Sequence, residues 1–376
     1  MKKLRVGVIF GGRSGEHDVS ILSSKEVIAA IDASKYEVIP IGVDKEGRWF
    51  QTSPELLATA HTRQCPSFLL PEPGTRNFIS LSKDGLINYL KELDVIFPLI
   101  HGSYGEDGCL QGLLELASIP YVGSGVLGSA VGMDKVMMKQ LFRSIGLPVT
   151  DFISTTRYEW KKNPTAIQAK IESQLSYPLF IKPANLGSSV GISKVKTPKE
   201  LAPAINMALA YDRKAIIENA VPHAREIEIA ILGNENPKAS VAGEIFPARE
   251  FYDYTAKYLD EKTALQIPAE IPDDLLAKMQ EFAIQAFTSL GCEGLSRIDF
   301  LVNSKTLDVF VSEINTLPGF TQVSMYPKMW EKSGIPYTQL IDKLLQLALE
   351  RHEDIKKNLT HFTAHTNSNA LDTEKM

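Results

Sequence analysis

Residues 297–320 read RIDFLVNSKTLDVFVSEINTLPGF. Polar and apolar residues alternate through RIDF and again through SEIN, the two-residue period of a strand with one buried face. NSKT at 303–306 supplies a turn between the two runs. The hairpin this predicts carries Arg297, Asp299, Glu313 and Asn315 on one face, with Ile298, Phe300 and Ile314 turned to a core. Asp299, Glu313 and Asn315 then offer three hard oxygen donors on neighbouring strands. That donor set suits Mg2+, which takes one or two carboxylates and completes its shell with phosphate oxygens and water. Any one of these residues alone reads as part of a solvated strand face. Grouped beside the N-T-x-P-G turn at 315–319, they favour a metal site with the Gly319 N–H close to it.

Upstream, FIKPANLGSSVG at 180–191 is a strand that delivers Lys182 into a glycine-serine loop. Backbone N–H groups of such a loop cradle phosphate oxygens, and a lysine adds a point charge. The chain has no Walker A pattern. Residues 187–191 also match G-x-S-x-G, but a nucleophile elbow needs a helix directly after the serine, and ISKVK alternates like a strand. A plain hairpin turn is the third reading. GSGVLG at 123–128 is a literal G-x-G-x-x-G ahead of a helix, with Asp151 further on. It lies outside the first strand–helix–strand unit and follows a short run holding Pro120. A domain junction is therefore favoured over a dinucleotide site.

The chain opens with the strand LRVGVIF (4–10), the loop GGRSGEHDVS, a helix over 18–31 with Asp18 as its N-cap, and the strand YEVIPIGVD (36–44). DVIFPLI (94–100) is a further strand that runs into HGSYGEDG and the helix LQGLLELA. Strand and helix alternating in this way predict a parallel sheet, whose ligands bind at the carboxyl ends of its strands. Glu16, His17 and His101 stand at that edge. Residues 51–84, rich in proline, read as an irregular insertion with a small hairpin. LGSAVGMDKVMMKQLFRSIG (127–146) reads as one helix ending at Gly146. The fold class expected is α/β plus α+β. Residues 1–125 form an N-terminal parallel-sheet α/β domain, 126–222 a central unit and 223–355 a C-terminal unit, with a polar tail over 356–376.

Composition narrows the function classes. Of 376 residues 44% are hydrophobic and 23% charged, the balance of a globular protein. A net charge of −5 leaves no basic field for a nucleic-acid partner. Cys65, Cys109 and Cys292 stand far apart, which argues against a disulfide framework and a structural zinc. The first apolar run is too short for a signal peptide. The uncharged stretch 116–133 approaches a bilayer span in length, but Pro120 and four glycines interrupt it. A cytoplasmic protein with no membrane partner is expected.

GGRSGEHDVS, HGSYGEDG, MDK (133–135), KPANLGSSVG, REIEIAILG (225–233), FYDYTAKY (251–258), RIDF and EINTLPGFT (313–321) occur in this order. The set resembles the ATP-grasp superfamily and, within it, the D-alanine–D-alanine ligase family. The resemblance spans Gly11 to Thr321. It implies a three-domain ATP-grasp fold that holds ATP between the central and C-terminal parts. It also implies two Mg2+ (or Mn2+) ions sharing Glu313, with Asp299 and Asn315 completing their shells. By the same resemblance Lys135, Lys182, Lys257 and the Ser189 N–H hold phosphates. Glu218 and the backbone at Ala220 and Val221 meet adenine, and Glu226 meets the ribose. Asn219 departs from the hinge pattern.

Glu16 would bind the ammonium of a first D-alanine with His101 nearby. Ser188 and Tyr258 would form a hydrogen-bonded set with Glu16 that closes the loop over the site. Arg297 and the Gly319 N–H would face the developing oxyanion, and Ser324 and Met325 the carboxylate of the second D-alanine. The implied reaction joins two D-alanines through an acyl phosphate, for peptidoglycan precursors. Tyrosine at 258, where depsipeptide-forming relatives carry histidine, points to the dipeptide. The polar loop 246–264 would act as a lid, and a homodimer is the family's usual form. Three alternatives remain: a depsipeptide-forming or other carboxylate–amine ligase, a non-catalytic nucleotide-binding module, and a dinucleotide oxidoreductase.

Overall fold

The computed structural model describes residues 2–58, 66–74, 76–82, 84, 86–246 and 264–359. Lys257, Tyr258 and all but the ends of the expected lid lie outside the described residues, as does the chain beyond 359.

Leu4–Gly11 is the central strand of the first sheet. It runs parallel to Tyr36–Val43 on one side and to Val95–Pro98 on the other, and Trp49–Gln51 adds an antiparallel edge. From Val6 onward it is buried, as a parallel strand covered on both faces must be. Its two neighbours are reached in opposite directions. The loops that leave Leu4–Gly11 and Val95–Pro98 therefore diverge and open a crevice at the carboxyl ends of the strands.

The first helix is His17–Ala30. Its N-cap is Glu16, not Asp18 as expected, and no side chain caps it. The Ser14 hydroxyl takes the Glu16 N–H at 2.9 Å, so the turn closes earlier than the capping pattern suggests. Asp18 lies in the first turn, where its charge favours the positive end of the helix dipole. The insertion is more regular than expected. Ser67–Leu69, Asn77–Leu81 and Ile87–Glu92 form a three-stranded antiparallel sheet, and Pro54–Ala58 is a short helix.

The helix expected over 127–146 is two helices, Val126–Met133 and Lys135–Ser144. Asp134 breaks it. Its backbone is extended, its carboxylate accepts the N–H groups of Val136 and Met137 at 3.1 Å each, and it pairs with Lys214. Helix-compatible residues on both sides hid this N-cap.

The central sheet has the order Ser193–Val195, Leu179–Pro183, Lys214–Asn219, Phe152–Thr156, with every pair antiparallel. Phe152–Thr156 had no counterpart in the sequence reading. No helix follows Ser189, whose next element is the strand Ser193–Val195, so a nucleophile elbow is excluded.

The third sheet is antiparallel, in the order Ala264–Gln266, Lys238–Phe246, Ala224–Gly233, Gly294–Asn303, Val309–Asn315. The hairpin read from 297–320 is here. Arg297 stands opposite Asn315 and Asp299 opposite Glu313. Ile298, Phe300 and Ile314 are buried on the other face under the helix Asp273–Ser289. The Asn303 side chain accepts the N–H of Lys305 at 2.9 Å, which shapes the turn.

The first and third sheets share one core. Val8, Phe10 and Phe97 pack with Phe320, Tyr326, Trp330 and Leu344, the last three from the helices Met325–Lys332 and Tyr337–Ile355. The Phe97 and Phe320 rings meet edge-on at 5.5 Å. A separate core built on Ile153, Ile181, Ile205 and Ile217 supports the central sheet. GSGVLG lies at the seam of the shared body. Buried Arg351 donates to the carbonyls of Gly123 and Tyr121, sits 4.1 Å over the Tyr121 ring and pairs with Glu293 at 3.3 Å. Gly294 has φ +73°, and a Cβ there would come within 3.1 Å of the Gly123 nitrogen. Replacing Arg351 with Ala orphans two carbonyls and one carboxylate, and should cost on the order of 2–4 kcal/mol. Urea unfolding measures this; a change under about 0.5 kcal/mol, the surface-substitution range, would contradict it.

Candidate active site

A cavity of about 350 Å3 opens where the three sheets meet. The first sheet contributes Glu16, His101 and Glu106 from its two glycine loops. The central unit contributes Gly187 and Ser188. The third sheet and the loop after it contribute Glu228, Arg297, Glu313, Asn315, Gly319, Ser324 and Met325.

Beneath the cavity lie two cross-strand rows, from which Glu228, Arg297, Glu313 and Asn315 line it and Asp299 does not. Glu228, Asp299 and Glu313 face one another across three strands, and Ala230, Arg297 and Asn315 form the next row. Arg297 neutralises the carboxylates. Its Nε lies 2.7 Å from Asp299 Oδ1 and 3.0 Å from Glu228 Oε2, and its Nη2 donates to Asp299 Oδ2 at 2.7 Å. Burial works against its charge, but Asp299 and Glu228 outweigh it, so the guanidinium stays charged. Asn315 Nδ2 donates to Asp299 Oδ2 at 3.0 Å.

Glu16 is clasped by the glycine-serine loop. Ser188 Oγ donates to Glu16 Oε1, which brings together two members of the expected set; the third, Tyr258, lies outside the described residues. Ser188 and Ser189 have φ of +53° and +57°. Left-handed backbone costs a non-glycine residue roughly 1–2 kcal/mol, and here it occurs twice in succession. The contact with Glu16 offsets part of that cost.

His101 lines the cavity, but both its ring nitrogens are engaged within the chain. Nδ1 lies 3.1 Å from the Leu317 carbonyl and Nε2 3.2 Å from Ser23 Oγ. Burial lowers its pKa against the pull of Glu16, so the ring is neutral. It joins the first sheet to the Leu317–Gly319 turn. His17, placed at the binding edge by sequence, is instead buried with Nδ1 2.8 Å from the Gly12 carbonyl and does not line the cavity. Ser324 is the N-cap of Met325–Lys332, and its Oγ lies 2.7 Å from Thr321 Oγ1. A Cβ at Gly319 would come within 3.2 Å of that Oγ.

Lys182, Ser189, Glu218, Ala220, Val221 and Glu226 do not line this cavity. Lys135 is the bridge to them, with Nζ 3.3 Å from Glu313 Oε2 and 2.9 Å from the Leu186 carbonyl. Beyond it, Lys182 Nζ lies 3.3 Å from Glu218 Oε2. Burial disfavours ionised Glu218, but Lys139 and Lys182 together hold its pKa below the ordinary value. Its other oxygen, Oε1, is buried and has no hydrogen-bond partner among the described residues. An acceptor left in that state fits a ligand that brings a donor, as a nucleobase amine does. The Ala220 N–H is engaged by the Pro178 carbonyl at 3.1 Å, so it does not donate to a base.

The metal reading rests on the donor chemistry. Among the described residues no three His, Cys, Asp or Glu side chains gather into a ready-made cation cage. Two carboxylates and an amide in register fit an ion that takes its remaining ligands from a nucleotide's phosphates.

Sequence reasoning missed three residues. Glu228 carried a signal in the alternation of REIEIAI. Glu106 sat in the quoted loop HGSYGEDG. Lys139 carried no local signal. Burial and the nearby Glu16 push the Glu106 carboxyl up to about 8, although Gly102 donates to it at 2.8 Å and Lys135 and Arg297 pull the other way. The folded chain therefore keeps a proton above about pH 4.5 that the unfolded chain releases, so stability falls as pH rises from there toward 8. Between pH 5 and 8.5 the wild type should lose on the order of 1–3 kcal/mol more than Glu106→Gln. Parallel urea-unfolding results at the two pH values would contradict this.

The comparisons with known proteins agree with this geometry. The family description "D-ala D-ala ligase N-terminus" matches residues 5–124, and "D-ala D-ala ligase C-terminus" matches 141–346. The chain belongs to the D-alanine–D-alanine ligase family. A D-alanine–D-alanine ligase of Natranaerobius thermophilus is 50% identical over 96% of this chain and 100% of its own length. One from Geobacillus thermodenitrificans is 47% identical over 96% and 99%. Among solved structures, the D-alanine–D-alanine ligase of Coxiella burnetii superposes with a TM-score of 0.81 at 36% identity, covering 95% of this chain and 97% of its own. VanG, a D-Ala:D-Ser ligase from Enterococcus faecalis, gives 0.82 at 34%, covering 92% and 100%. Within this family the mixed α/β sheets described above are the ATP-grasp architecture.

Proposed function

We propose that this ligase joins two D-alanines at the cost of ATP, giving D-alanyl-D-alanine, ADP and phosphate for peptidoglycan precursors. One observation supports this most: Glu16, Ser188, Arg297, Glu313, Gly319 and Ser324, from three sheets, line one cavity. Glu16, held by Ser188, receives the ammonium of the first D-alanine. The carboxylate of that D-alanine then lies toward Arg297 and the γ-phosphate. Lys135 and Lys182 hold the phosphates, with Ser189 on the same loop, and Lys257 in the expected lid joins them. Glu218, Val221 and the Ala220 backbone meet adenine, and Glu226 the ribose. Asp299, Glu313 and Asn315 would hold the Mg2+ or Mn2+ ions, which when bound would supply charge neutralisation at the nucleotide's phosphates. Arg297 and the Gly319 N–H donate to the oxyanion that forms when the second amine attacks. Ser324, at the N-terminus of Met325–Lys332, and Met325 receive the second carboxylate. Tyr258 completes the set with Glu16 and Ser188 on closure, which excludes water from the acyl phosphate.

We also propose the division 1–125, 126–222 and 223–355 as functional units, a homodimer and a cytoplasmic location. Among the described residues no helix is long and apolar enough to cross a membrane.

The test is phosphate release from ATP and Mg2+ with D-alanine alone, and with D-alanine plus D-lactate or D-serine. Turnover with D-alanine alone supports the dipeptide. Turnover that needs D-lactate or D-serine selects a depsipeptide or mixed ligase, and no turnover with any of them removes the proposal.

A further inference from the structure

The mechanism leaves one fully buried charge unused. Lys139 lies one turn after Lys135 on the helix Lys135–Ser144, so the two side chains leave the same face. Lys135 reaches Glu313, which lines the catalytic cavity. Lys139 reaches inward, is 0% exposed, and places Nζ 3.2 Å from Glu218 Oε2 and 3.1 Å from Thr150 Oγ1. Lys182 Nζ also lies on Glu218 Oε2, at 3.3 Å. Two ammonium groups and a hydroxyl thus crowd one oxygen of Glu218, while Oε1 has no partner among the described residues.

A fully buried lysine is expensive, because desolvation disfavours its charge. Here burial lowers the pKa of Lys139, Glu218 opposes that, and Lys182 adds like-charge repulsion. Neutralising Glu218 needs one lysine, not two. Lys182 is the more accessible of the pair and stands on the strand that leads into the glycine-serine loop. It can leave Glu218 for an anionic ligand only if another cation stays behind.

We propose that Lys139 is a positioning residue for the nucleotide. It holds Glu218 ionised with Oε2 occupied and Oε1 directed to the amine of the base, and it frees Lys182 to bind phosphate oxygens. This rests on the reading that Glu218 meets adenine. It predicts that base selectivity and phosphate binding are coupled through a residue that touches neither.

The test uses the full chain with saturating D-alanine and Mg2+. Steady-state constants are measured for ATP and for inosine triphosphate, which carries a carbonyl where adenine has its amine. Lys139→Gln should raise KM for ATP on the order of 10- to 100-fold, as for groups that orient a ligand-binding residue. It should change kcat little and move the ATP-to-inosine ratio of kcat/KM toward one. Lys139→Arg, which keeps the charge, should recover most of the ratio. A role in folding alone predicts a lower Tm for Lys139→Gln with KM and the ratio unchanged, and that result overturns the proposal. Should Lys139→Gln fail to fold, Lys139→Met, which keeps the length and removes the charge, takes its place: a raised KM and a lowered ratio support the proposal, and wild-type values overturn it. Glu218→Gln separates the two readings. An unchanged ratio there overturns the adenine contact and the proposal with it. A lowered ratio there, with none in Lys139→Gln, overturns the role of Lys139 alone.

Discussion

Replacing Arg297 with Ala should lower kcat at least about 100-fold while leaving KM for ATP nearly unchanged. The guanidinium faces the cavity from the row beside the carboxylates, where a donor fixed in place before the reaction contributes most to a developing oxyanion. Loss of a single such donor typically costs on the order of 100- to 1000-fold. Stability should fall as well. Asp299 and Glu228 lose the charge that holds them at 2.7 and 3.0 Å, and unpairing a buried ion pair costs about 3–5 kcal/mol. Circular dichroism at the assay temperature separates the two effects, and single-turnover phosphate release reads the first. Equal losses in kcat and in nucleotide affinity would assign Arg297 to binding instead.

Glu313→Gln keeps the size of the side chain and removes its charge. It leaves Lys135 without the carboxylate now 3.3 Å from its Nζ, and it breaks the row opposite Asp299. Turnover should drop on the order of 100-fold or more, because phosphoryl transfer depends on charge neutralisation and positioning rather than covalent help from the protein. The Mg2+ concentration needed for half-maximal rate should rise, and titration at fixed ATP measures it. A variant with a near-wild-type rate and an unshifted Mg2+ curve would contradict the assignment of Glu313 as a shared ligand.

What could be read in advance divides along the range of the interactions. The hairpin at 297–320 was legible because alternation and the Asn303 turn are local, and register follows once one face must be buried. The glycine loops after the first and third parallel strands were legible for the same reason. The break at Asp134 was not, since helix-compatible residues continue on both sides and the partner Lys214 that pairs with it is far away in sequence. Glu106 stood in a quoted motif, yet its raised pKa comes from burial in the folded chain and from Glu16, far away in sequence. Lys139 was invisible, because its meaning depends on a helix and a strand that meet only in the folded chain. The roles expected of Lys257 and Tyr258 rest on sequence alone.

The most direct measurement is a crystal structure of the ligase with ADP, Mn2+ and a phosphinate mimic of the tetrahedral intermediate, with anomalous scattering locating the metal. Manganese peaks within about 2.0–2.3 Å of Glu313 oxygens and of Asp299 or Asn315, in contact with the phosphate groups, are the predicted result. Manganese bound elsewhere, with those three side chains still paired only to Arg297, Lys135 and one another, would contradict it.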